Sequence, residues 1–382
     1  FAQGKEISLS FPELQDKIKV SLPEGHNPKK RYPVVFYYHG QGGQPDTNLI
    51  RFHTGPKDWI VVGMGYVKSG RTDLSKGGLA REMTLFHKVK KQVVEKYGGN
   101  IRECYAAGFS KGGWLTDAML QTQPGLAGGI ILGAGKMRQF NQMKTYPQSK
   151  FSGKKAVFIG IGRSDPNDIY AYHALLMHRK MGAAVTLEIW RDLGHSIPDP
   201  GSPGLEQWLR LRLINKNGLK ELAEQKTQAA FDAAMKLPEL AQYFMLRDLS
   251  ATPYVKLLGE TWKKRIDAGI ASLKKDKKVL QESLAYSQQQ KALFRELKYR
   301  NAADLEKVKG AYLSIKKNYA DSTQAVLIAK DIARVEHLLK LVKQREAEMK
   351  SKQVKKKKDK AEEVEGPTES DKDRIPRNPF NR

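Results

Sequence analysis

The chain has one cysteine, Cys104, in 382 residues. No intrachain disulfide can form, so the fold depends on its apolar core. Long hydrophobic runs are missing too. The best candidate, Gly128 to Gly135, falls well short of the roughly 18 residues that would suggest a membrane-spanning helix, so no transmembrane segment is expected. Metal-ligand spacings are absent as well: there is no H-E-x-x-H, no cysteine pair and no dinucleotide fingerprint. The stretch Gly133-Ala134-Gly135-Lys136-Met137 lacks the leading glycine and the hydroxyl residue after lysine that a phosphate loop requires. Neither metal nor cofactor is expected. Acidic residues are in deficit, 41 against 67 Lys and Arg, for a formal net charge of +26. The surplus is spread along the chain, which favours polyanions in general and predicts no specific nucleic acid.

What is present is enough for a sizeable core, with 40% apolar and 9% aromatic residues. Between about Phe11 and Leu213, short apolar runs alternate with helical patterns. The runs are 33–38, 59–64, 103–108, 129–132, 156–160 and 185–190, several of them β-branched without alternation, as in strands covered on both faces. Helical periodicity falls at 82–97, 112–121, 168–181 and 205–213. This order predicts an α/β fold with a doubly wound, mostly parallel sheet over residues 1–218.

After Asn215-Lys216-Asn217-Gly218, strong helix formers take over, predicting an all-α helical domain over 219–350. Its clearest element follows Asp321-Ser322, with Ala325, Ile328, Ile332, Val335, Leu339 and Val342 forming one stripe. That stripe is expected to close a small bundle with helices at 273–286 and 292–313. Residues 312–333 also have the look of one tetratricopeptide-like hairpin, with no second copy at a fixed period. From 351 to 382, Lys355 to Lys358, acidic residues and scattered prolines lack apolar periodicity and are read as a disordered basic tail. The opening Phe1-Ala2-Gln3 resembles the remnant of a signal-peptidase site, giving the expectation of a bacterial, exported protein, periplasmic or secreted.

The chemistry centres on Gly108-Phe109-Ser110-Lys111-Gly112-Gly113, which follows one predicted strand and opens a predicted helix. G-x-S-x-G in that context places a serine hydroxyl on a tight strand-to-helix turn above the sheet edge. A serine hydroxyl needs a base to act as a nucleophile. Asp165, in Gly160-Ile161-Gly162-Arg163-Ser164-Asp165, and His195, in Asp192-Leu193-Gly194-His195, each follow a strand and so sit at the same carboxyl edge. The expected set is therefore Ser110 as nucleophile, His195 as general base and Asp165 as the acid that orients it. Asp168 and Asp192 rank lower, the first as a helix N-cap and the second as too near His195 in the chain. The expected oxyanion donors are the amides of Lys111 and of Gln41, the latter in His39-Gly40-Gln41-Gly42-Gly43.

Together these motifs resemble the α/β-hydrolase serine esterases, nearest the phospholipase/carboxylesterase group and the polyhydroxybutyrate-depolymerase or feruloyl-esterase-like group. The resemblance covers roughly residues 15–215 and implies a metal-independent hydrolase of carboxylic esters. It departs at Lys111, where a small or neutral residue is usual, and the helical portion lies outside it. The region 136–154 is short and polar, so a large apolar lid is not expected and the cleft should admit soluble esters or acyl groups on a saccharide or polymer. Tyr38, Trp114 and Trp190 are candidate substrate-binding aromatics. The alternatives are a serine peptidase of the same fold, and a binding or scaffold protein whose helical domain contacts a protein or an anionic cell-envelope polymer.

Overall fold

The computed structural model describes residues 5–67, 73–136, 155–213 and 218–364, without the side chains of Lys76 and 355–364. Two compact units are present, Phe1–Tyr286 and Ser287–Arg382.

The first unit is built on an eight-stranded sheet in the order β1-β2-β4-β3-β5-β6-β7-β8. β3 (Tyr32–Tyr38), β4 (Ile60–Met64), β5 (Gly99–Phe109), β6 (Gly128–Leu132), β7 (Ala156–Gly162) and β8 (Ala184–Trp190) are parallel to one another. β1 (Glu6–Leu9) and β2 (Ile18–Ser21) add an antiparallel edge. The parallel strands match the six apolar runs of the sequence. In β3, Val34, Phe36 and Tyr38 enter one buried cluster and Val35 and Tyr37 another. Both faces of the strand are dry, which is why its sequence does not alternate.

Helices cover the two faces. α2 (Lys76–Tyr97) and α3 (Lys111–Thr122) send Leu85, Phe86, Val89, Leu115 and Met119 into the first cluster. α1 (Asn48–Thr54) and α5 (Pro203–Arg210) send Ile50, Leu205, Trp208 and Leu209 into the second. α4 (Asp168–Lys180) follows β7. The same unit continues past residue 218 through α6 (Leu219–Ala234), α7 (Glu239–Ser250), α8 (Pro253–Leu258), α9 (Glu260–Leu273) and the start of α10 (Lys277–Glu296). The strand pattern ends near Leu213, whereas the compact unit extends to Tyr286. Polar contacts explain this: the Tyr254 amide donates to Gln207 Oε1 at 3.1 Å, and Arg191 pairs with Asp248.

In the second unit, α11 (Ala302–Asn318) and α12 (Thr323–Val364) follow the end of α10. Ala325, Ile328, Val335 and Leu339 of the predicted stripe are buried, as are Leu305, Val308, Tyr312 and Ile315 of α11. A polar knot sits among them: Glu296 takes Arg334 Nε at 2.7 Å and the Tyr312 hydroxyl at 2.9 Å. The helix break falls at 297–301, later than the sequence reading placed it. Ser287-Gln288-Gln289-Gln290 is helix-compatible, and the next helix starts where the Asn301 side chain accepts the Asp304 amide. α12 runs on to Val364, beyond residue 351, since Lys, Glu and Ala sustain a helix without an apolar stripe. Residues 365–382 of the predicted tail lie outside the described residues.

One buried acid near the sheet has a measurable consequence. Glu82 on α2 is 2% exposed; one oxygen accepts the Val67 amide at 3.1 Å, and the other has no partner among the described residues. Burial pushes this carboxyl up from 4.5 to about 7, against the opposing pull of the Val67 amide. The folded state therefore holds the proton more tightly than the unfolded chain, and stability is lost as pH rises from 4.5 through 7. Glu82→Gln should remove that loss and stabilise the protein at pH 8 by up to about 3 kcal/mol. Urea melts of both proteins at pH 4.5 and pH 8 measure it; equal slopes against pH would refute the assignment.

Candidate active site

Ser110 forms the turn between β5 and α3 with φ 53° and ψ −115°, making it the one non-glycine residue with positive φ among the described residues. Such a conformation costs on the order of 1–3 kcal/mol and persists only where its surroundings impose it. They do so here by close packing. A Cβ on Gly112 would lie 2.1 Å from the Tyr38 carbonyl oxygen, and one on Gly108 would lie 2.1 Å from the Gly112 carbonyl carbon. Only glycine at both positions lets the strand and helix approach this closely. With this strained strand-to-helix turn at the carboxyl end of a mostly parallel sheet, the architecture is decided. The fold is that of the α/β-hydrolases.

His195 lies on the loop after β8, and Asp165 on the loop after β7. His195 Nδ1 is 2.7 Å from Asp165 Oδ2, and His195 Nε2 is 2.8 Å from Ser110 Oγ. With Nδ1–H donating to the carboxylate, Nε2 accepts from the serine hydroxyl. Asp165 is fully buried, and its other oxygen accepts the Asn167 amide at 2.8 Å. The imidazole is partly open to solvent, and its ring lies 5.0 Å from that of Phe109. This chain of groups can draw the proton from Ser110 Oγ as it attacks a carbonyl, with a buried negative charge stabilising the imidazolium that results.

The Ser110 amide is already committed to the Leu132 carbonyl at 2.8 Å. The next donor in the chain is the Lys111 amide at the first helical position, where backbone N–H groups have no partner within the helix. The 40–43 turn, closed by Gly43 N–H to the Gly40 carbonyl at 3.2 Å, lies against the serine. An added Cβ on Gly40 would sit 3.6 Å from Ser110 Cβ. His39 is buried, donates from Nδ1 to the Gly40 carbonyl at 2.7 Å, and accepts the Tyr66 hydroxyl on its own carbonyl. Burial lowers its pKa, so it holds the turn as a neutral ring.

The candidate aromatics separate on burial. Tyr38 is fully buried, its ring stacked at 5.8 Å on that of Tyr66, and Trp190 is 6% exposed within the cluster around Trp208. Tyr38 packs in the core on a strand whose two faces are covered, and Trp190 is the one buried residue of β8, packed in the second cluster. Trp114 differs. It is half-buried one turn beyond Ser110, edge-on to the half-buried Tyr170 at 5.5 Å. Residues 137–154, most of the region read as lacking a lid, lie outside the described residues. Asp168, one rival for the acid, is the first residue of α4 after the N-cap Asn167 and is bound to Arg163 at 2.8 Å. Asp192 is exposed.

Two contributors escaped the sequence reading. Asn167 donates its amide to Asp165 and its side-chain nitrogen to the Gly133 carbonyl at 3.1 Å, tying the acid loop to the end of β6. The Asp165-Pro166-Asn167 spacing carries the signal, because Asp commonly accepts the amide two residues on. Phe109, the variable residue of G-x-S-x-G, supplies the ring beneath His195, and no sequence rule selects it.

Among the described residues, no cluster of three metal-ligating side chains and no helix long and apolar enough to cross a membrane is present. No protein-family model and no curated protein sequence matches the chain. Several solved structures are similar to it in part. A Bacillus cereus carboxylesterase is 17% identical, covering 52% of this chain and 96% of its own, with a TM-score of 0.43. A Mesorhizobium loti carboxylesterase is 19% identical over 53% of this chain and 98% of its own, also at 0.43. A ferulic acid esterase from Anaeromyces mucronatus is 18% identical over 50% of this chain and 84% of its own, at 0.37. Ser110, His195 and Asp165, rather than these likenesses, carry the functional reading.

Proposed function

We propose that the chain is a serine esterase, cleaving carboxylic esters through an acyl-serine intermediate. The observation that carries this is the single imidazole of His195 held between Asp165 and the Ser110 hydroxyl at 2.7 and 2.8 Å. Ser110 Oγ attacks the ester carbonyl while His195 Nε2 takes its proton. The negative charge that develops on the carbonyl oxygen is met by the amides of Lys111 and Gln41. Collapse expels the alcohol, which receives the proton back from His195. Water then repeats the cycle on the acyl-serine, with His195 again as base. Asp165 fixes the tautomer and stabilises the imidazolium. The acyl groups we favour are those of soluble esters or of a decorated saccharide, for which the half-buried Trp114 and Tyr170 offer a stacking face.

A fluorophosphonate probe should label the wild-type protein at one residue and leave Ser110→Ala unlabelled, with hydrolysis of short p-nitrophenyl esters lost in parallel. Labelling of the variant to the same extent would end the proposal. Adding peptide amides to the panel tests the peptidase alternative, which predicts amide cleavage without ester cleavage.

A further inference from the structure

The loops carrying His195 and Asp165 are stitched together. The Trp190 carbonyl accepts the Arg163 amide at 2.7 Å, and the Leu193 carbonyl accepts the Ser164 amide at 2.9 Å. The two backbones run so close that a Cβ on Gly162 would lie 2.1 Å from the Gly194 oxygen. Between the two stitches, the side chain of Arg191 reaches across to α7. Its guanidinium carbon lies 4.0 Å from the Phe244 ring centroid, and its Nη2 forms an ion pair with Asp248 Oδ2. Asp248 also takes Arg247 on Oδ1 at 3.3 Å, and Arg247 lies 4.3 Å from the Tyr286 ring and 5.2 Å from that of Phe244. One carboxylate thus serves two guanidinium groups beside a shared aromatic ring.

An isolated surface ion pair contributes little. Arg191 is different in kind, because a ring face and a carboxylate fix its planar head from two directions, and its side chain is 22% exposed. At its far end the His195 loop is anchored at Ser202, whose amide donates to His53 Nε2 at 2.8 Å and whose hydroxyl donates to Glu188. Arg191 supplies the near anchor. Catalytic groups must be held to within about half an ångström of their working geometry, and this end of the loop takes part of that restraint, beyond its two backbone stitches, from a helix outside the sheet.

We infer that α7 is a brace for the proposed active site, with Arg191, gripped by Phe244 and Asp248, acting as a positioning residue for His195. This rests on the esterase reading above, and it assigns a role to part of the helical segment that follows the sheet.

The test uses the full chain and a short p-nitrophenyl ester, with kcat expressed per site titrated by fluorophosphonate. Arg191→Ala and Asp248→Asn are each expected to lower kcat about tenfold while KM changes by less than about twofold. Asp248→Glu should restore most of the loss. Combining Arg191→Ala with Asp248→Asn should do no more than Arg191→Ala alone, because both break one contact. A thermal melt separates positioning from stability, since a purely structural role would lower Tm and leave kcat per titrated site unchanged. Should Arg191→Ala misfold, the partly exposed Asp248→Asn still reports. A kcat per site within about twofold of wild type in the folded variants overturns the brace. A wild-type protein that neither labels at Ser110 nor turns over esters overturns the esterase reading, and the brace with it.

Discussion

His195→Ala should lower ester turnover about a million-fold, to the level of Ser110→Ala, and the double replacement should fall no further. The two residues act as a unit: without the imidazole, the Ser110 hydroxyl has no base, and without the hydroxyl, the imidazole has nothing to activate. Among the described residues no other side chain is hydrogen-bonded to Ser110 Oγ. The rate that survives, roughly a thousandfold or more above water, is what the oxyanion donors and substrate binding provide alone. Values of kcat/KM for the two single variants and the double variant on one activated ester measure this. Retention of more than about 1% of wild-type activity by His195→Ala would mean that another base serves Ser110.

Asp165→Asn is the second large effect, expected at about ten-thousandfold in kcat with the fold intact. The geometry gives the reason. Asp165 Oδ1 accepts the Asn167 amide, and Oδ2 faces His195 Nδ1. An asparagine keeps its oxygen toward the Asn167 amide, so its NH2 group is turned to His195. The ring must then accept at Nδ1 and carry its proton on Nε2, which can no longer take one from serine. Near-wild-type circular dichroism and melting temperature with turnover reduced to that extent is the expected result. A loss of less than about tenfold would show that Asp165 does not set the tautomer.

Ser110, Asp165 and His195 were legible in the sequence because each is tied to a local pattern: a glycine-flanked turn after a strand, and two loops following apolar runs. Parallel strands leave little choice about which edge those loops occupy, so chain order alone brings the three together. The burial of Tyr38 and Trp190 was not legible, because an aromatic at the end of an apolar run reads equally as core or as ligand contact. Tyr38 sits on a strand dry on both faces, and Trp190 is the one buried residue of β8. β1 and β2 escaped notice because Glu6-Ile7-Ser8-Leu9 and Ile18-Lys19-Val20-Ser21 are four residues each and carry charge, and β1 is the outermost strand, where charge is common. Arg191, Phe244 and Asp248 form no pattern at all in one dimension. Their relation exists only once a helix about fifty residues downstream has packed against the end of β8.

The backbone of Ser110 sets two demands of the sequence against each other. The positive φ at this position would suit glycine better than any side-chain-bearing residue, so the substitution that most relaxes the elbow is also one that removes the hydroxyl proposed to react. Selection for thermal robustness alone would drive position 110 toward an inert chain. The strain at this turn is thus a cost that the proposed nucleophile would explain and that packing alone does not require.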